Sequence, residues 1–169
     1  YNNIAPSPLP QITPTSLGSA EFRREYRLQY AYLAGAMYKG IASIPMVLRL
    51  ARAGFMGYLG TGGWRLDKIA AAIQTIQNEL NNGEPYGVNL LHNFVSPPME
   101  EATVELYLQH QIHCVEAAAF MQMTPALVRY RLTGIHERDG QIVIPNKVMA
   151  KVSRPEVATA FMSPPPERI

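Results

Sequence analysis

The sequence predicts an α/β fold in which short buried strands alternate with helices along a parallel sheet. Apolar runs centre near Tyr32, Gly57, Val88, Val115 and Ala150, at intervals of 25, 31, 27 and 35 residues. Stretches of helical periodicity fill the intervals, and repeated βα units of this size place successive strands parallel to one another. The chain has 169 residues, of which 47% are hydrophobic and 17% charged, so it can bury a sizeable core.

The first predicted unit is a strand at Tyr30–Ala34 followed by a helix. Ser43 is a favoured helix-capping residue, and Pro45 follows it in what would be the first helical turn. Gly54 then ends the helix, because glycine readily adopts the left-handed backbone conformation found just beyond helix ends.

The second unit contains the clearest helix of the sequence. A buried strand is predicted at Phe55–Leu59 and a helix at Leu66–Leu80. Within that helix Ile69, Ile73 and Ile76 recur at the spacing of one helical face, which indicates that the face packs against the sheet.

The third and fourth units follow the same pattern. Their predicted segments are the strands Tyr86–Leu91 and Ile112–Ala118, the helix Glu101–His110 and a helix from Thr124 to Leu132. Prolines precede or begin both helices, at Pro97-Pro98 and at Pro125, where their fixed backbone angle suits a first helical turn.

The fifth unit includes an insertion. The pair Asp139-Gly140, followed by Ile142-Val143-Ile144, predicts a tight β-hairpin before the last core strand. That strand is predicted at Val148–Val152, and a further helix at Arg154–Phe161.

Residues 1–20 are expected to form a proline-rich N-terminal arm, and residues 21–169 the folded part. Four prolines lie among Ser, Thr, Asn and Gln in this arm, and proline favours extended chain over helix. A net charge of +2 with scattered basic residues argues against a nucleic-acid or anionic-membrane partner. No apolar run approaches the roughly 20 residues of a membrane span, and no signal-peptide pattern is present. A single cysteine suits a reducing cytoplasm, which is the expected location.

Two architectures are compatible with this order of elements. A doubly wound sheet would be complete with five strands, whereas a (β/α)8 barrel needs about 250 residues and would be represented only by its first part. Both give the same local pattern, so periodicity leaves the choice open. In either architecture, function gathers where the strands end and the following loops begin.

Polar residues at the predicted strand ends are the candidate site. Asn89 and Glu116 lie inside apolar strands, where an unpaired polar group costs about 1–3 kcal/mol, so they favour a ligand site over satisfaction by the backbone alone. Lys151 is predicted in a central strand, where lysine is rare without a partner; an ion pair with Glu116 is the structural alternative. His92 follows a strand end and is a candidate proton donor, although a histidine that merely forms hydrogen bonds is the more common case.

Three other features of the sequence do not indicate a cofactor, nucleophile or metal site. Gly60-Thr61-Gly62-Gly63 lacks the spacing of a dinucleotide-binding fingerprint and is typical of a turn. Cys114 is expected to be a small packed residue, because nothing adjacent in the sequence would lower its pKa. His110 and His113 have no cysteine or carboxylate cluster around them, so no metal site is predicted.

Several long segments resemble a known family. They are Tyr32–Ser43 (YLAGAMYKGIAS), Tyr86–Asn93 (YGVNLLHN), Val115–Met121 (VEAAAFM), Thr124–Arg131 (TPALVRYR) and Ala150–Ala158 (AKVSRPEVA). In this order they resemble the flavin-dependent, trans-acting enoyl reductases of polyketide and polyunsaturated fatty acid synthases, over the chain from about Leu17 onward. Those enzymes belong with the nitronate monooxygenase-like FMN barrels, so the resemblance implies a (β/α)8 TIM barrel of which this chain holds about the first five βα units.

The resemblance also implies a reaction, cofactors and partners. Hydride would pass from NADPH to FMN and then to the β-carbon of an α,β-unsaturated thioester on an acyl carrier protein. The loop at Ala36-Met37 would lie beside the flavin ring, and Asn89 would hydrogen-bond the flavin. Lys151 would sit near the polar edge of the ring and stabilise its reduced form, with Glu116 facing the same site. The resemblance does not supply the catalytic acid, because the usual histidine acid of the nitronate enzymes is expected beyond residue 169; His92 is the candidate from its position after a strand end alone.

The chain departs from the family pattern in length. Related barrels continue through three more strands, and their FMN phosphate loops are expected beyond residue 169, so the chain is expected to be part of a longer enzyme. Three alternatives remain: a nitronate monooxygenase-like flavin oxidase, a non-catalytic half-barrel that binds carrier protein, and a five-stranded nucleotide-binding domain.

Overall fold

The computed structural model describes residues 11–164, which form α-helices and β-strands in alternation. The helices are α1 (Ala20–Tyr26), α2 (Ile44–Arg52), α3 (Leu66–Glu79), α4 (Pro97–Gln109), α5 (Pro125–Leu132) and α6 (Pro155–Met162). The strands are β1 (Leu33–Ala34), β2 (Met56–Leu59), β3 (Gly87–Leu91), β4 (Cys114–Ala118), β5 (His136–Arg138), β6 (Gln141–Val143) and β7 (Lys147–Ala150). None of the helices in this part of the chain combines the length and apolar character needed to cross a bilayer.

The main sheet is parallel and follows the chain order. Its strands lie in the order β1-β2-β3-β4-β7, and each pairs with the next in parallel. A doubly wound sheet reverses direction at an internal switch point, whereas the strands of a (β/α)8 barrel add one after another. This order therefore resolves the choice that periodicity left open, and the sheet is a half-barrel.

The outer face of the sheet carries the core that the helices cover. Register aligns Leu59, Val88, Val115 and Val148 in one row across four strands. The first three are completely buried and pack with the apolar faces of the surrounding helices. Because side chains alternate along a strand, the next row, Asn89–Glu116–Met149, points to the inner face. The barrel interior therefore receives the polar side chains.

Most predicted elements are confirmed within one to four residues of their ends. Ser43 caps α2, with its side chain accepting a hydrogen bond from the Met46 amide, and proline lies in the first turn of α2, α4 and α5. The predicted hairpin is confirmed as the antiparallel pair β5–β6, which turns at Asp139-Gly140.

Three expectations need correction. β1 contains only two residues of the predicted strand, because the Tyr32 N–H donates to the Tyr30 carbonyl oxygen at 2.8 Å, and this local turn takes the residues before Tyr32 out of the ladder. β7 ends at Ala150, so Lys151 follows the strand rather than lying inside it. Helix α1, capped by Ser19, was not predicted; residues 1–10 of the expected N-terminal arm lie outside the described part of the chain.

Candidate functional site

The carboxyl ends of the parallel strands bring most of the predicted site residues to one edge of the half-barrel. Ala36 follows β1, Asn89 lies in β3, Glu116 in β4, and Lys151 follows β7. Strand register places Asn89 directly beside Glu116, on the same inner face.

Two hydrogen bonds and one ion pair join Ala36, Glu116 and Lys151 in a closed ring. Glu116 Oε2 accepts the Ala36 backbone N–H at 2.7 Å and lies 3.1 Å from Lys151 Nζ. Lys151 Nζ also donates to the Ala36 carbonyl oxygen at 2.8 Å. Since β1 and β7 are the two edges of the sheet, this ring joins them across the interior. The sheet must curl strongly to allow these contacts, as a barrel requires.

Gly35 leaves the space that the Glu116 carboxylate occupies. A Cβ atom added to Gly35 would lie 2.7 Å from Glu116 Oε1 and 3.4 Å from Lys151 Cε. The glycine in the first-strand motif therefore has a packing role: it lets a buried carboxylate approach the backbone of the β1 loop.

The ion pair proposed as a structural alternative is present, but its two members differ in exposure. The Glu116 side chain is 2% exposed, whereas that of Lys151 is 45% exposed. The Glu116 carboxylate therefore contacts only protein groups, whereas one side of the Lys151 ammonium group faces solvent. A half-exposed cation at the edge of the barrel interior can contact a bound anionic or carbonyl-bearing group without breaking the pair.

The side-chain amide of Asn89 forms no hydrogen bond with any residue between 11 and 164. The backbone oxygen of Asn89 accepts hydrogen bonds from Thr61 Oγ1 at 2.9 Å and from the Tyr107 hydroxyl at 2.6 Å. Its side chain makes no hydrogen bond within residues 11–164, although every fully buried side-chain nitrogen and oxygen there has a partner. Solvent must therefore reach the amide. It borders a cleft of about 300 Å³ whose walls include Gly62, Trp64 and Leu91.

The glycine-rich segment after β2 is a turn, as predicted, and it also fixes the loop that carries Met37. A Cβ atom on Gly60 would fall 1.7 Å from the Met37 carbonyl oxygen, so only glycine permits this contact. Gly62 accepts a backbone hydrogen bond from Lys39 at 3.0 Å and lies against the ring of Tyr38. Met37 is 41% exposed at the edge of the half-barrel, on a backbone that the β2 loop holds in place.

His92 lies in a second cluster, which it forms with the N-terminal ends of α4 and α5. Its Nδ1 is 2.6 Å from Oε2 of Glu100, a carboxylate whose side chain is only 3% exposed. The same oxygen accepts the Asn93 backbone N–H at 3.2 Å, and Thr124 Oγ1 donates to the other oxygen. Phe94 packs edge-on against the imidazole at a centroid distance of 4.2 Å.

This second cluster was only partly predicted. Among the described residues, no side-chain hydrogen bond or ion pair joins His92 to the Ala36–Glu116–Lys151 ring. Glu100 was missed altogether, because a glutamate in the first turn of a helix ordinarily interacts with the helix N-terminus and solvent. Glu100 and His92 are eight residues apart, and no regular spacing within a strand or a helix would indicate that they are in contact. Only the tertiary fold shows the pair.

Cys114 is packed, as expected from the sequence. Burial raises the pKa of its thiol to about 11, and the nearby Lys147 opposes part of that rise. In the described part of the chain no group of three or more histidine, cysteine or carboxylate side chains could hold a metal ion.

Comparison with known proteins supports the resemblance seen in the sequence. The chain is 52% identical over 159 residues to the polyketide biosynthesis protein PksE of Bacillus subtilis, covering 94% of this chain and 21% of PksE. It is 53% identical over 168 residues to the polyketide biosynthesis protein ThaF of Burkholderia thailandensis, covering 99% of this chain and 14% of ThaF. It is also 38% identical over 154 residues to part of a polyunsaturated fatty acid synthase of Thraustochytrium, covering 90% of this chain and 10% of that one. The chain thus spans about a fifth or less of these relatives. No protein-family model matches it.

Solved structures give the same result. The enoyl reductase domain of MlnA, from the macrolactin biosynthesis cluster of Bacillus amyloliquefaciens, superposes with a TM-score of 0.86 at 40% identity, covering 89% of this chain and 35% of that one. FabK from Thermotoga maritima superposes with a TM-score of 0.62 at 19% identity, covering 83% of this chain and 40% of that one, which supports the fold alone. The resemblance to the enoyl reductases of polyketide and polyunsaturated fatty acid synthases is confirmed, as is the half-barrel fold.

Proposed function

We propose that this chain forms the first five βα units of an FMN-dependent enoyl reductase that acts in polyketide or polyunsaturated fatty acid biosynthesis. The observation that carries the proposal is its likeness, in sequence and in structure, to the MlnA enoyl reductase domain. The polar side chains at the carboxyl ends of the strands agree with it, because barrel enzymes bind their ligands at that end.

The described residues fit the polar edge of a flavin ring. Such an edge presents both carbonyl acceptors and an N–H donor, and the free amide of Asn89 can satisfy one of each. The half-exposed ammonium group of Lys151 supplies a donor and a positive charge. The backbone at Ala36-Met37, held by Glu116 and by the β2 loop, would flank the ring. The residues that bind the FMN phosphate are expected outside this chain.

The bound flavin would supply the hydride chemistry, taking hydride from NADPH and delivering it to the β-carbon of the enoyl thioester. The residues of this chain would stabilise charge and transfer protons. Lys151 would hold a positive charge beside the polar edge of the bound flavin, where it would stabilise negative charge. His92 would donate a proton from Nε2 to the α-carbon and regain one from solvent, so that the double bond gains one hydride and one proton. The reduced thioester would leave on its acyl carrier protein.

The edge of the half-barrel offers an apolar surface for the acyl chain. Its exposed hydrophobic side chains include Met37, Phe94, Val95, Met121 and Met123. They belong to loops that follow β1, β3 and β4, on the side where the polar site residues lie. An enzyme that receives its substrate from a separate carrier protein needs such an open, apolar approach to the site.

Spectroscopy and turnover of the full-length protein test this function. We expect a bound flavin spectrum that NADPH bleaches and that an enoyl thioester restores, with saturated thioester as product. A protein that binds NADPH but no flavin would support the nucleotide-binding alternative. Oxygen-dependent consumption of a nitronate without NADPH would identify the oxidase alternative. Binding of carrier protein by a flavin-free, inactive protein would support the non-catalytic one.

A further inference from the structure

We infer that Glu100 is a positioning residue for His92: its buried carboxylate fixes the proton on Nδ1 and leaves Nε2 as the reactive nitrogen. The catalytic consequence rests on the proposed function, in which His92 is the proton donor. The position of the proton on Nδ1 does not rest on the proposed function, because it follows from the hydrogen bonds around the Glu100 carboxylate.

Two neighbours of Glu100 donate hydrogen bonds to its carboxylate. The backbone N–H of Asn93 donates to Oε2 at 3.2 Å. Thr124 Oγ1 already accepts the Leu127 backbone N–H at 3.2 Å, as the cap of α5, so its own hydrogen is directed to Glu100 Oε1. The Glu100 carboxylate accepts a hydrogen bond from each of these two groups. Because its side chain is only 3% exposed, its other lone pairs also need hydrogen-bond donors from the protein.

The third donor is therefore the imidazole of His92. The Nδ1–Oε2 distance of 2.6 Å requires a proton between the two atoms. Oε2 then accepts two hydrogen bonds, one from the Asn93 N–H and one from Nδ1–H of His92, which matches the two lone pairs of a carboxylate oxygen. Among the described residues, Glu100 is the one charged side chain within ion-pair distance of the ring.

The other ring nitrogen is left available. Nε2 makes no hydrogen bond within residues 11–164, and no fully buried side-chain nitrogen there lacks a partner, so solvent reaches Nε2. Phe94 and Phe120, at centroid distances of 4.2 and 5.1 Å, restrict rotation of the ring. An imidazolium held in this way can release a proton from Nε2 while Nδ1–H stays bound to Glu100. A buried carboxylate commonly fixes the tautomer of a catalytic histidine in this manner.

The first test is the tautomer itself. The full-length, flavin-loaded protein is labelled with ¹⁵N-histidine, and the His92 signals are assigned by their loss in His92→Gln. At a pH where the ring is neutral, we expect Nδ1 to be protonated and Nε2 unprotonated. The opposite tautomer, or a mixture like that of free imidazole, would overturn the inference whatever the activity of the protein.

The second test is a double-mutant cycle on enoyl thioester reduction. We expect Glu100→Gln to lower kcat about 10- to 100-fold and to have less than a twofold effect once His92 is already Gln. Glu101→Gln is the matched control, since it makes the same change at the next, exposed position and should leave kcat unchanged. Independent, multiplicative losses from the two substitutions would overturn the positioning role. An unchanged kcat in His92→Gln would instead remove His92 as the donor under the proposed function.

Discussion

Lys151 and Glu116 form an ion pair on the inner side of the half-barrel, with Nζ 3.1 Å from Oε2. The two residues come from neighbouring strands, and both contact the Ala36 backbone on the opposite edge of the sheet. The pair thus joins three βα units at the level where the proposed flavin would bind. The two partners should differ in how much stability is lost when each is removed, because only the Glu116 carboxylate is fully buried.

This asymmetry predicts which partner is more costly to remove. Lys151→Met leaves a buried carboxylate with one remaining donor, so we expect the free energy of unfolding to fall by about 2 kcal/mol or more. Glu116→Gln leaves a lysine that solvent can hydrate and keeps an oxygen for the Ala36 N–H, so we expect a loss of about 1 kcal/mol. Urea unfolding of the full-length protein measures both.

Two further variants complete this test. The double variant should be more stable than Lys151→Met alone, because it no longer contains an unpaired buried charge. Arg49→Met, at an exposed position of α2, controls for the loss of a positive charge. A larger loss for Glu116→Gln than for Lys151→Met would contradict the asymmetry.

Asn89 should contribute to flavin binding and little to stability. Its amide makes no hydrogen bond within the described residues, so Asn89→Leu should change the free energy of unfolding of the flavin-free protein by less than about 1 kcal/mol. The same substitution should weaken FMN binding about 10- to 100-fold through the loss of one or two hydrogen bonds. Quenching of flavin fluorescence gives the dissociation constant.

Asn78→Leu is the control for this experiment. It makes the same substitution on an exposed turn of α3, away from the strand ends, and should leave FMN affinity unchanged. Equal FMN affinity in wild type and Asn89→Leu would remove Asn89 from the proposed cofactor site.

The sequence was sufficient to predict most of the elements, although not α1 or the short extent of β1, because the signals for them are local. Ser43 as a helix cap, prolines in first turns and isoleucines at helical spacing each act within a few residues, and α2 and α3 form where those signals lie. The order of the strands could not be predicted, because the same βα units can pair in barrel or doubly wound order. That choice depends on contacts between distant segments.

The same distinction applies to the site: residues that stand out locally could be predicted, whereas contacts between distant segments could not. Asn89 and Glu116 stood out as polar residues in apolar strands, and both are buried on the inner face. The contact between Glu116 and the Ala36 backbone joins residues 80 positions apart, and no sequence pattern indicates it. Glu100 gave no signal because its partner is fixed by how α4 and α5 pack onto the end of β3.

Gly60 and Gly62, two of the three glycines in the loop after β2, should tolerate alanine differently. Gly60→Ala places a methyl group against the Met37 carbonyl oxygen, and backbone cannot move without displacing the β1 loop. We expect a loss of about 3 kcal/mol in unfolding free energy, with weaker FMN binding. Gly62→Ala meets the exposed ring of Tyr38 at 2.8 Å, which can rotate away, so its loss should be about 1 kcal/mol or less. Similar losses in the two variants would contradict the tight contact at Gly60.

Cys114 should react slowly with thiol reagents in the folded protein, and its reactivity should rise with pH. With its pKa raised to about 11 by burial, roughly one thiol in a thousand is ionised at pH 8, against about a quarter for an exposed cysteine. We therefore expect labelling at pH 8 to be at least about a hundredfold slower than in the urea-unfolded chain. The rate should increase about tenfold per pH unit up to pH 11, as far as the fold persists. Mass spectrometry of the peptide that contains Cys114 follows the reaction.

The same raised pKa predicts the sign of a pH effect on stability. Between about pH 9 and 11 the thiol of the unfolded chain loses its proton while the folded thiol keeps it. The folded state then binds more protons, so its free energy of unfolding falls as the pH rises through this window. Cys114→Ala removes this contribution and should flatten the alkaline side of the stability curve, while the pH dependence below pH 8 stays that of the wild type. An unchanged alkaline slope, or fast labelling at pH 8, would show that the thiol is more accessible than its packing beside Tyr58 and Tyr26 indicates.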